Sequence, residues 1–460
     1  MTTNNPVVST ITKEYKFTQN AFLPKSVIIP LAQEVNVEYI ANVKPGDIVK
    51  EGDVIASSTN IENQSYIHSS IPGTVEEIIP CYLPNAKQSY GIKINFGGSL
   101  SYLGKKIPED KIEYLTTLGI EKELSDKGVV NTFNITFPTN LGSEIREIKK
   151  GSNLVVRLFD EDPYRATDSL ITKFYKNEII KGAENLAKAI DASGVVFVID
   201  QKLTDKTNFI SPNNEKSEDI EEEGSSNNDK STSFKNFKLL EMNIRKYPCG
   251  TPREIISAFK KNNLKKQCDI KLTKNDLFID SSTALETYKA ISLKTPSITK
   301  CVQFSGNCLQ ASCILDIKLG TPIKEVIKQI GGIIKNPEMV IVNGDLCGYS
   351  LQSLDAPITK YVKSIKVISS RKFTDNQIYA CVSCGNCRSA CPVNISPDVL
   401  YNTTISLNKL SESYAKSSLA CISCGLCNTV CPARLPLSQT ISVLKDNVTK
   451  ILKEKNEESK

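Results

Sequence analysis

Two cysteine-rich stretches near the end of the sequence nearly repeat each other: CVSCGNCRSACP at residues 381–392 and CISCGLCNTVCP at residues 421–432. Each follows the spacing C-x2-C-x2-C-x3-C-P, which is typical of chains that bind two [4Fe-4S] clusters. In such a pair the fourth cysteine of one stretch ligates the cluster held by the other stretch. We therefore predict two [4Fe-4S] clusters that lie close together in the C-terminal part of the chain.

Cross-ligation divides the eight cysteines into two groups. The first cysteine group is Cys381, Cys384, Cys387 and Cys431, and the second cysteine group is Cys421, Cys424, Cys427 and Cys391. Gly385 and Gly425 each follow the second cysteine of a stretch, where the missing side chain lets the backbone bend closely around sulfur. The spacing predicts a helical domain of the bacterial ferredoxin type over residues 365–450.

Zinc is the alternative metal for such a cysteine cluster. Structural zinc sites take four ligands, usually as two C-x2-C pairs, and the run of four cysteines here fits that spacing poorly. His68 is the only histidine of the chain and stands far from the cysteine stretches. We interpret it as a packing or hydrogen-bonding residue, and we predict no catalytic side chain.

Composition limits the class of protein. With 460 residues the chain is too long for one core, and its net charge of +6 is spread thinly, which argues against a nucleic-acid partner. The N-terminus lacks an apolar signal sequence, and no stretch approaches the ~20 apolar residues of a membrane helix. From these features we expect a cytoplasmic chain. In that compartment fifteen cysteines favour metal ligation over disulfides.

The N-terminal part, residues 1–125, is predicted to be a β domain. VKPGDIVKEGDVIA at 43–56 and SSIPGTVEEI at 69–78 are short alternating runs separated by glycine turns. The pattern resembles the barrel-sandwich fold of biotinyl and lipoyl carriers. No Met-Lys-Met or Asp-Lys-Ala tripeptide joins the halves, so we expect a structural role.

Residues 126–290 are predicted to form a Rossmann-like parallel α/β domain. The strand NLVVRLF (153–159), a helix over 167–190 and the strand GVVFVID (194–200) make a βαβ unit. Residues 211–233 are almost without aliphatic side chains, which predicts a disordered insert.

Residues 291–350 are predicted to form a small α+β domain of the β-grasp type. The strand-like segments KCVQFSG (300–306) and SCILDIKLG (312–320) are followed by the helical PIKEVIKQIGG (322–332) and the strand-like EMVIVNG (338–344). The whole chain is thus expected to be a multidomain α/β and α+β protein.

Several blocks together resemble the RnfC family, the C subunits of the Rnf-type ion-translocating oxidoreductase complex. Beside the cysteine stretches they are residues 28–56, 67–78, 246–256 (KYPCGTPREII) and 317–332 (IKLGTPIKEVIKQIGG). They stand in the order seen in that family, and the resemblance covers nearly the whole chain. It implies a middle domain like the flavin-binding subunit of respiratory complex I, and we predict that the β-grasp domain at 291–350 is SLBB-like.

The resemblance also implies a glycine-rich loop, G-x-G-G-A-G-F-P-T, that binds FMN and NADH. The matching stretch is GVVNTFNITFPTN at 128–140, which keeps Gly128 and the FPT of Phe137, Pro138 and Thr139. The positions between them hold Asn131, Thr132, Phe133, Asn134, Ile135 and Thr136. Because glycines let backbone amides approach a phosphate, this loss puts both FMN and NADH binding in doubt. We predict no cofactor-binding residue in this degenerate loop.

The family's acidic stretch, N-A-A-E-C-E-P-Y, corresponds here to RLFDEDPY at 157–164. Asp160 and Asp162 keep the two negative charges on shorter side chains, whereas Arg157 stands in the place of an asparagine.

The resemblance implies a peripheral iron–sulfur subunit at the cytoplasmic face of the plasma membrane. Its partners would be the membrane and peripheral subunits of the complex and a carrier such as ferredoxin or flavodoxin. Two other functions stay open at this point. One is a soluble NADH-dependent flavin and iron–sulfur reductase that serves another enzyme, and the other is a non-redox scaffold stapled by its clusters.

Overall fold

The structure is a computed structural model. It describes residues 16–34, 37–60, 64–85, 87–97, 117–136, 138–202, 236–263, 270–369, 377–405 and 412–458. The predicted insert at 211–233 lies outside the described residues.

Two small antiparallel sheets pack face to face in the N-terminal part. Their strands are β2 (Ser26–Pro30), β3 (Tyr39–Ala41), β4 (Ile48–Val49), β5 (Val54–Ser58), β6 (Tyr66–His68), β7 (Gly73–Tyr82) and β8 (Gln88–Phe96). One sheet has the order β2-β8-β7-β4 and the other β3-β5-β6. Alternate side chains such as Val27, Ile55, Ile67 and Ile92 fill the space between them. This agrees with the predicted sandwich.

The repeated turns of VKPGDIVKEGD are built by the two aspartates. Asp47 accepts a hydrogen bond from the backbone N–H of Lys44, and Asp53 accepts one from Lys50, both at 2.7 Å. Gly46, inside the first turn, has a φ of 94°, a conformation that side chains disfavour. Local turn chemistry therefore sets the strand ends of this domain.

The middle part is a four-stranded parallel sheet with flanking helices. Its elements are α1 (Thr117–Asp126), β9 (Val130–Asn131), β10 (Thr139–Asn140), α2 (Leu141–Glu147), β11 (Leu154–Arg157), α3 (Thr167–Phe174), α4 (Lys176–Ala189), β12 (Val195–Asp200), β13 (Phe237–Met242), α5 (Pro252–Asn263), β14 (Leu277–Asp280) and α6 (Ser281–Ser292). The sheet order is β13-β12-β11-β14, and every neighbouring pair is parallel. The predicted parallel α/β arrangement is confirmed.

The single helix predicted over 167–190 is wrong in one respect, because α3 and α4 are separate. Tyr175 lies between them with φ −123° and ψ 38°, outside the helical region. Its N–H still donates to the carbonyl of Ile171, and its carbonyl still accepts from Ile179. The hydrogen-bond ladder thus continues across a local break in direction.

A six-stranded mixed sheet follows. Its elements are β15 (Thr299–Ser305), β16 (Cys313–Lys318), α7 (Ile323–Gln329), β17 (Met339–Val342), β18 (Tyr349–Ser350) and β19 (Ser364–Ile368), together with β1 (Lys16–Asn20). The order is β1-β16-β15-β19-β17-β18. The strands and the helix predicted between 300 and 344 are all present. The sheet also takes in β1 and β19, which lie outside the range 291–350, and α1 packs into the core of the parallel α/β layer.

The C-terminal part consists of short helices joined by the cysteine loops and of the 22-residue helix α12 (Leu437–Glu458). They are α8 (Asn386–Ala390), α9 (Pro397–Ile405), α10 (Glu412–Ser417), a 3-10 turn (Ser418–Ala420), α11 (Leu426–Thr429) and α12 (Leu437–Glu458).

A buried lysine joins the parallel α/β layer to the mixed sheet. The Nζ atom of Lys363, just before β19, lies 2.7 Å from Asp168 on α3 and 2.5 Å from Asp280 at the end of β14. All three side chains are fully buried. The carbonyl of Lys363 also accepts a hydrogen bond from Thr167 at 2.7 Å. Because an unpaired buried charge is costly, these contacts fix how the two layers pack.

Replacing Lys363 by methionine is expected to lower the free energy of unfolding by about 3–5 kcal/mol, because two buried carboxylates lose their cation. Chemical denaturation followed by far-UV circular dichroism measures the change. Lys328→Met is the matched control, since Lys328 is 68% exposed and pairs only with Glu325 on the surface. The control is expected to stay within about 0.5 kcal/mol of wild type. Equal stability of both variants would contradict the role of Lys363.

His68 is buried at the end of β6, and its Nδ1 atom has no hydrogen-bond partner among the described residues. Burial, together with the positive charges of Lys360 and Lys127, lowers the pKa of His68 from 6.5 to about 3. The imidazole is therefore neutral at physiological pH, as a packing residue would be.

As the only histidine, His68 can be followed alone by NMR of chain labelled with carbon-13 histidine. Its imidazole signal is expected to stay at the neutral position from pH 8 down to pH 5. Below pH 6.5 the unfolded chain binds a proton that the folded chain does not, so stability falls by ~1.4 kcal/mol per pH unit until pH approaches 3. A titration midpoint near 6.5 in the folded chain would contradict the burial of this side chain.

Candidate iron–sulfur centre

The two cysteine stretches form two separate loops that have the same backbone conformation. Ser383 and Ser423 both have a φ of 54°, and the glycines that follow the next cysteine, Gly385 and Gly425, have φ values of 76° and 71°. Each glycine begins a short helix, α8 or α11. Alternating conformations of this kind curl the backbone into a concave turn, and the glycines make the second bend possible.

Each predicted cysteine group surrounds one cavity. One cavity is lined by the first cysteine group, Cys381, Cys384, Cys387 and Cys431. The other is lined by the second cysteine group, Cys421, Cys424, Cys427 and Cys391. The fold thus brings the fourth cysteine of each stretch to the other stretch, in the crossed arrangement that the spacing predicts.

The two cavities are alike in lining. Each is bordered mostly by sulfur and apolar side chains, among them Ile395 and Ile441 around one and Leu435 and Leu437 around the other. Within the described ranges, no three His, Cys, Asp or Glu side chains converge closely enough to hold a single metal ion. The cysteines instead ring spaces of the kind that a multi-atom cluster occupies, and their soft sulfur donors suit iron–sulfur clusters.

Burial keeps the free thiols of Cys424 and Cys427, in the second cysteine group, protonated. It raises the pKa of Cys424 and of Cys427 to about 12. Because iron is bound by thiolates, assembly of a cluster must release these protons. When bound, a [4Fe-4S] cluster supplies one-electron transfer without bond-breaking chemistry.

In the degenerate loop at 128–140, several backbone N–H groups are already hydrogen-bonded within the protein. Three backbone N–H groups of this loop donate to side chains of the protein. These bonds run from Thr132 to Thr283 Oγ1 (3.0 Å), from Phe133 to Asn131 Oδ1 (3.0 Å) and from Thr136 to Asn134 Oδ1 (3.1 Å). Phe133 and Ile135 are buried. Phe137 lies outside the described residues.

The side chain of Arg157, from the acidic stretch at 157–164, lies between the degenerate loop at 128–140 and the block at 246–256. It is fully buried at the end of β11 and donates to the carbonyls of Phe133, at 3.0 Å, and Gly250, at 2.9 Å. Its guanidinium lies 4.1 Å from the centre of the Phe133 ring. The residues present therefore do not fit FMN: the amides are occupied, and an arginine and a phenylalanine take up the space.

The two aspartates of the acidic stretch accept hydrogen bonds from backbone N–H groups of other parts of the fold. Asp160 accepts from the backbone N–H of Ser169 at 3.0 Å, near the beginning of α3. Asp162 accepts from the backbone N–H groups of Leu346, at 2.8 Å, and Cys347, at 2.9 Å, in the loop between β17 and β18. Both carboxylates are buried and already have partners. The contacts of both carboxylates are thus internal to the fold.

Sequence reasoning missed the contacts of two buried side chains, Tyr247 and Arg157. Tyr247, inside the block KYPCGTPREII, is buried against Cys424 and Cys347. Arg157 was recognised only as a replaced asparagine, although an arginine inside an apolar strand run is itself a sign of a buried, specifically paired cation. Cys249, Cys301, Cys308 and Cys313 are buried as small apolar side chains. Cys268 lies outside the described residues.

Among the helices that the structure describes, none combines the length and the apolar character required to cross a bilayer.

Comparison with known families gives two matches. A domain described as the RnfC barrel sandwich hybrid domain matches residues 8–98. A 4Fe-4S dicluster domain matches residues 375–435. These ranges contain the N-terminal β sandwich and the two cysteine stretches. The sandwich and the iron–sulfur domain are therefore confirmed as family features.

A solved structure, the NAD+-reducing [NiFe]-hydrogenase in the H2-reduced state, is 12% identical with a TM-score of 0.42 and covers 76% of this chain and 64% of that one. This likeness is too weak to carry an argument.

Curated relatives extend over most of the chain. The C subunit of the ion-translocating oxidoreductase complex of Rhodobacter capsulatus is 25% identical over 432 residues, which cover 93% of this chain and 79% of the relative. The C subunit of the proton-translocating ferredoxin:NAD(+) oxidoreductase complex of Clostridium ljungdahlii is 23% identical, with 84% and 81% covered. The order of the sequence blocks, the two domain matches and these relatives agree: the chain belongs to the RnfC family, the C subunits of ion-translocating oxidoreductase complexes.

Proposed function

We propose that the chain is the peripheral iron–sulfur subunit of an Rnf-type ion-translocating oxidoreductase complex and relays electrons through two [4Fe-4S] clusters. One observation carries the proposal. Eight cysteines line two neighbouring cavities in a chain that aligns with an RnfC relative over 93% of its length. Clusters of this kind transfer single electrons at potentials set by burial and hydrogen bonds, so no acid or base is required.

The ligands of this proposal are the two cysteine groups. The first group would hold one cluster and the second group the other, with Cys431 and Cys391 as the crossed ligands. Zinc is disfavoured because its sites close around one ion with four nearby donors, whereas within the described ranges no three such side chains converge closely enough to hold a single ion.

The first cysteine group also offers a place for electron exchange with a partner. Cys384 is exposed, and next to it stand Ile378, Tyr379 and Val382, which are 59%, 49% and 67% exposed. An apolar rim around a solvent-facing cluster suits brief contact with another redox protein. The partner would be another subunit of the complex or a carrier of the ferredoxin or flavodoxin type, at the cytoplasmic face of the plasma membrane.

The four-domain division stays part of this proposal. It assigns a barrel sandwich to residues 1–125, a flavin-subunit-like α/β domain to 126–290, a β-grasp domain to 291–350 and a ferredoxin-type domain to 365–450. The α/β domain would serve as a rigid support for the clusters rather than as a nucleotide site.

Two other functions are less well supported. An NADH-dependent flavin reductase needs a phosphate cradle, and the buried Arg157 and the occupied amides of the 128–140 loop argue against one. A non-redox scaffold does not require a solvent-facing ligand such as Cys384.

Crossed ligation is tested by counting iron after anaerobic reconstitution. Cys391→Ala with Cys421→Ala removes two ligands of one cluster, so about half of the wild-type iron is expected to remain as an intact [4Fe-4S] cluster. Cys391→Ala with Cys381→Ala removes one ligand of each cluster, so less iron is expected. If each stretch held its own cluster, the two double variants would exchange these results. Absence of iron from the wild-type chain would contradict the proposed function itself.

The wild-type chain is expected to retain no FMN after incubation with excess flavin and ultrafiltration, because its loop amides are occupied and Arg157 fills the space beside them. Flavin fluorescence of the retained protein measures binding. Arg157→Asn is the informative variant, since it removes the guanidinium. If only Arg157→Asn retained FMN, the side chain of Arg157 would be the group that excludes it. Stoichiometric retention of FMN by the wild-type chain would contradict the conclusion that its residues do not fit FMN.

A further inference from the structure

The two cysteine groups lie in different surroundings although their loops are nearly identical. A side chain added at Gly385 would meet no atom within 4 Å, and the neighbouring Cys384 is exposed. A side chain added at Gly425 would come within 2.2 Å of the carbonyl oxygen of Leu346, and the neighbouring Cys424 is buried. One loop thus faces solvent while the other is pressed against the rest of the protein.

The buried loop receives a hydrogen bond from the α/β layer. Tyr247, 1% exposed, places its hydroxyl 2.6 Å from the carbonyl oxygen of Cys424 and 3.0 Å from the sulfur of Cys347. The carbonyl can only accept, so the tyrosine hydroxyl donates to it. The thiol of Cys347 is then the group that donates to the tyrosine oxygen.

Asp162 fixes the loop that carries Cys347. Its carboxylate accepts from the backbone N–H groups of Leu346 and Cys347, and a side chain at Gly344 would clash with it. Ile422 and Leu426 close the contact with apolar surface. The hydroxyl of Tyr247 is therefore held in one orientation beside the second cysteine group.

We propose that Tyr247 is a positioning residue that raises the reduction potential of the cluster held by the second cysteine group and makes it differ from the other cluster. The inference rests on the proposed two-cluster function. Reduction adds one electron to the cluster and moves no proton. A hydroxyl dipole whose positive end points toward the ligand loop stabilises the added negative charge, as hydrogen bonds near cluster sulfurs do.

The test is a redox titration of the reconstituted full chain, followed by electron paramagnetic resonance. In Tyr247→Phe, the ratio of reduced to oxidised cluster at a fixed ambient potential is expected to fall about tenfold for one cluster, equivalent to ~59 mV for a one-electron couple. The other cluster is expected to titrate as in wild type. The double variant Cys391→Ala with Cys421→Ala, which lacks the cluster in question, identifies its signal.

Tyr90→Phe is the matched control. Tyr90 lies on β8 of the N-terminal sandwich and is 62% exposed. Both potentials are expected to stay unchanged in this variant. Should Tyr247→Phe fail to retain clusters, Cys347→Ala is the second variant. Loss of its thiol donor weakens the same hydrogen-bond chain. The reduction potential of the same cluster is therefore expected to fall, but by less than in Tyr247→Phe.

The outcomes separate this inference from the proposed function. A wild-type chain that assembles no clusters would overturn the proposed function. Clusters that form but show no shift in Tyr247→Phe, or equal shifts of both, would overturn the role of Tyr247 alone. If Tyr247→Phe holds no iron, an unchanged reduction potential in Cys347→Ala would likewise overturn the role of Tyr247.

Discussion

The buried ion pairs of Lys363 are the constraint on which the arrangement of the described layers depends. One ammonium lies between Asp168 of the α/β layer and Asp280 at the end of its sheet, while its own backbone leads into the mixed sheet. Moving one layer against the other would leave charge unpaired in the interior. With these layers fixed, Asp162 can reach the loop at 346–347, and that loop can support the second cysteine group.

The middle layer combines a complete parallel α/β sheet with a loop whose residues do not fit FMN. The parallel sheet and its helices are intact, but the guanidinium of Arg157 bonds to the carbonyls of Phe133 and Gly250 where the resemblance places flavin-binding stretches. Backbone N–H groups of Thr132, Phe133 and Thr136 in the same loop also donate to side chains of the protein. In the proposed function this layer is a rigid support for the cysteine loops.

Local signals in the sequence predicted the parts that depend on local chemistry. The spacing of the cysteines led to the crossed groups, the Pro-Gly and Glu-Gly turns to the sandwich, and the apolar runs around Val155 and Val196 to the parallel sheet. Contacts between distant residues had no such signal. The bond from Tyr247 to Cys424 spans 177 residues, that from Asp162 to Leu346 spans 184, and β1 joins a strand almost 300 positions away. The break at Tyr175 likewise follows from packing that periodicity alone does not contain.

In the proposed function this chain carries electrons through its clusters without a flavin of its own. The decisive measurement is to add NADH, with and without FMN, to the anaerobically reconstituted chain and to follow bleaching of the visible absorbance of the clusters. We expect no bleaching by NADH in either case and full bleaching by dithionite. Bleaching by NADH that requires FMN would contradict this expectation, because the altered loop would then still hold a working flavin.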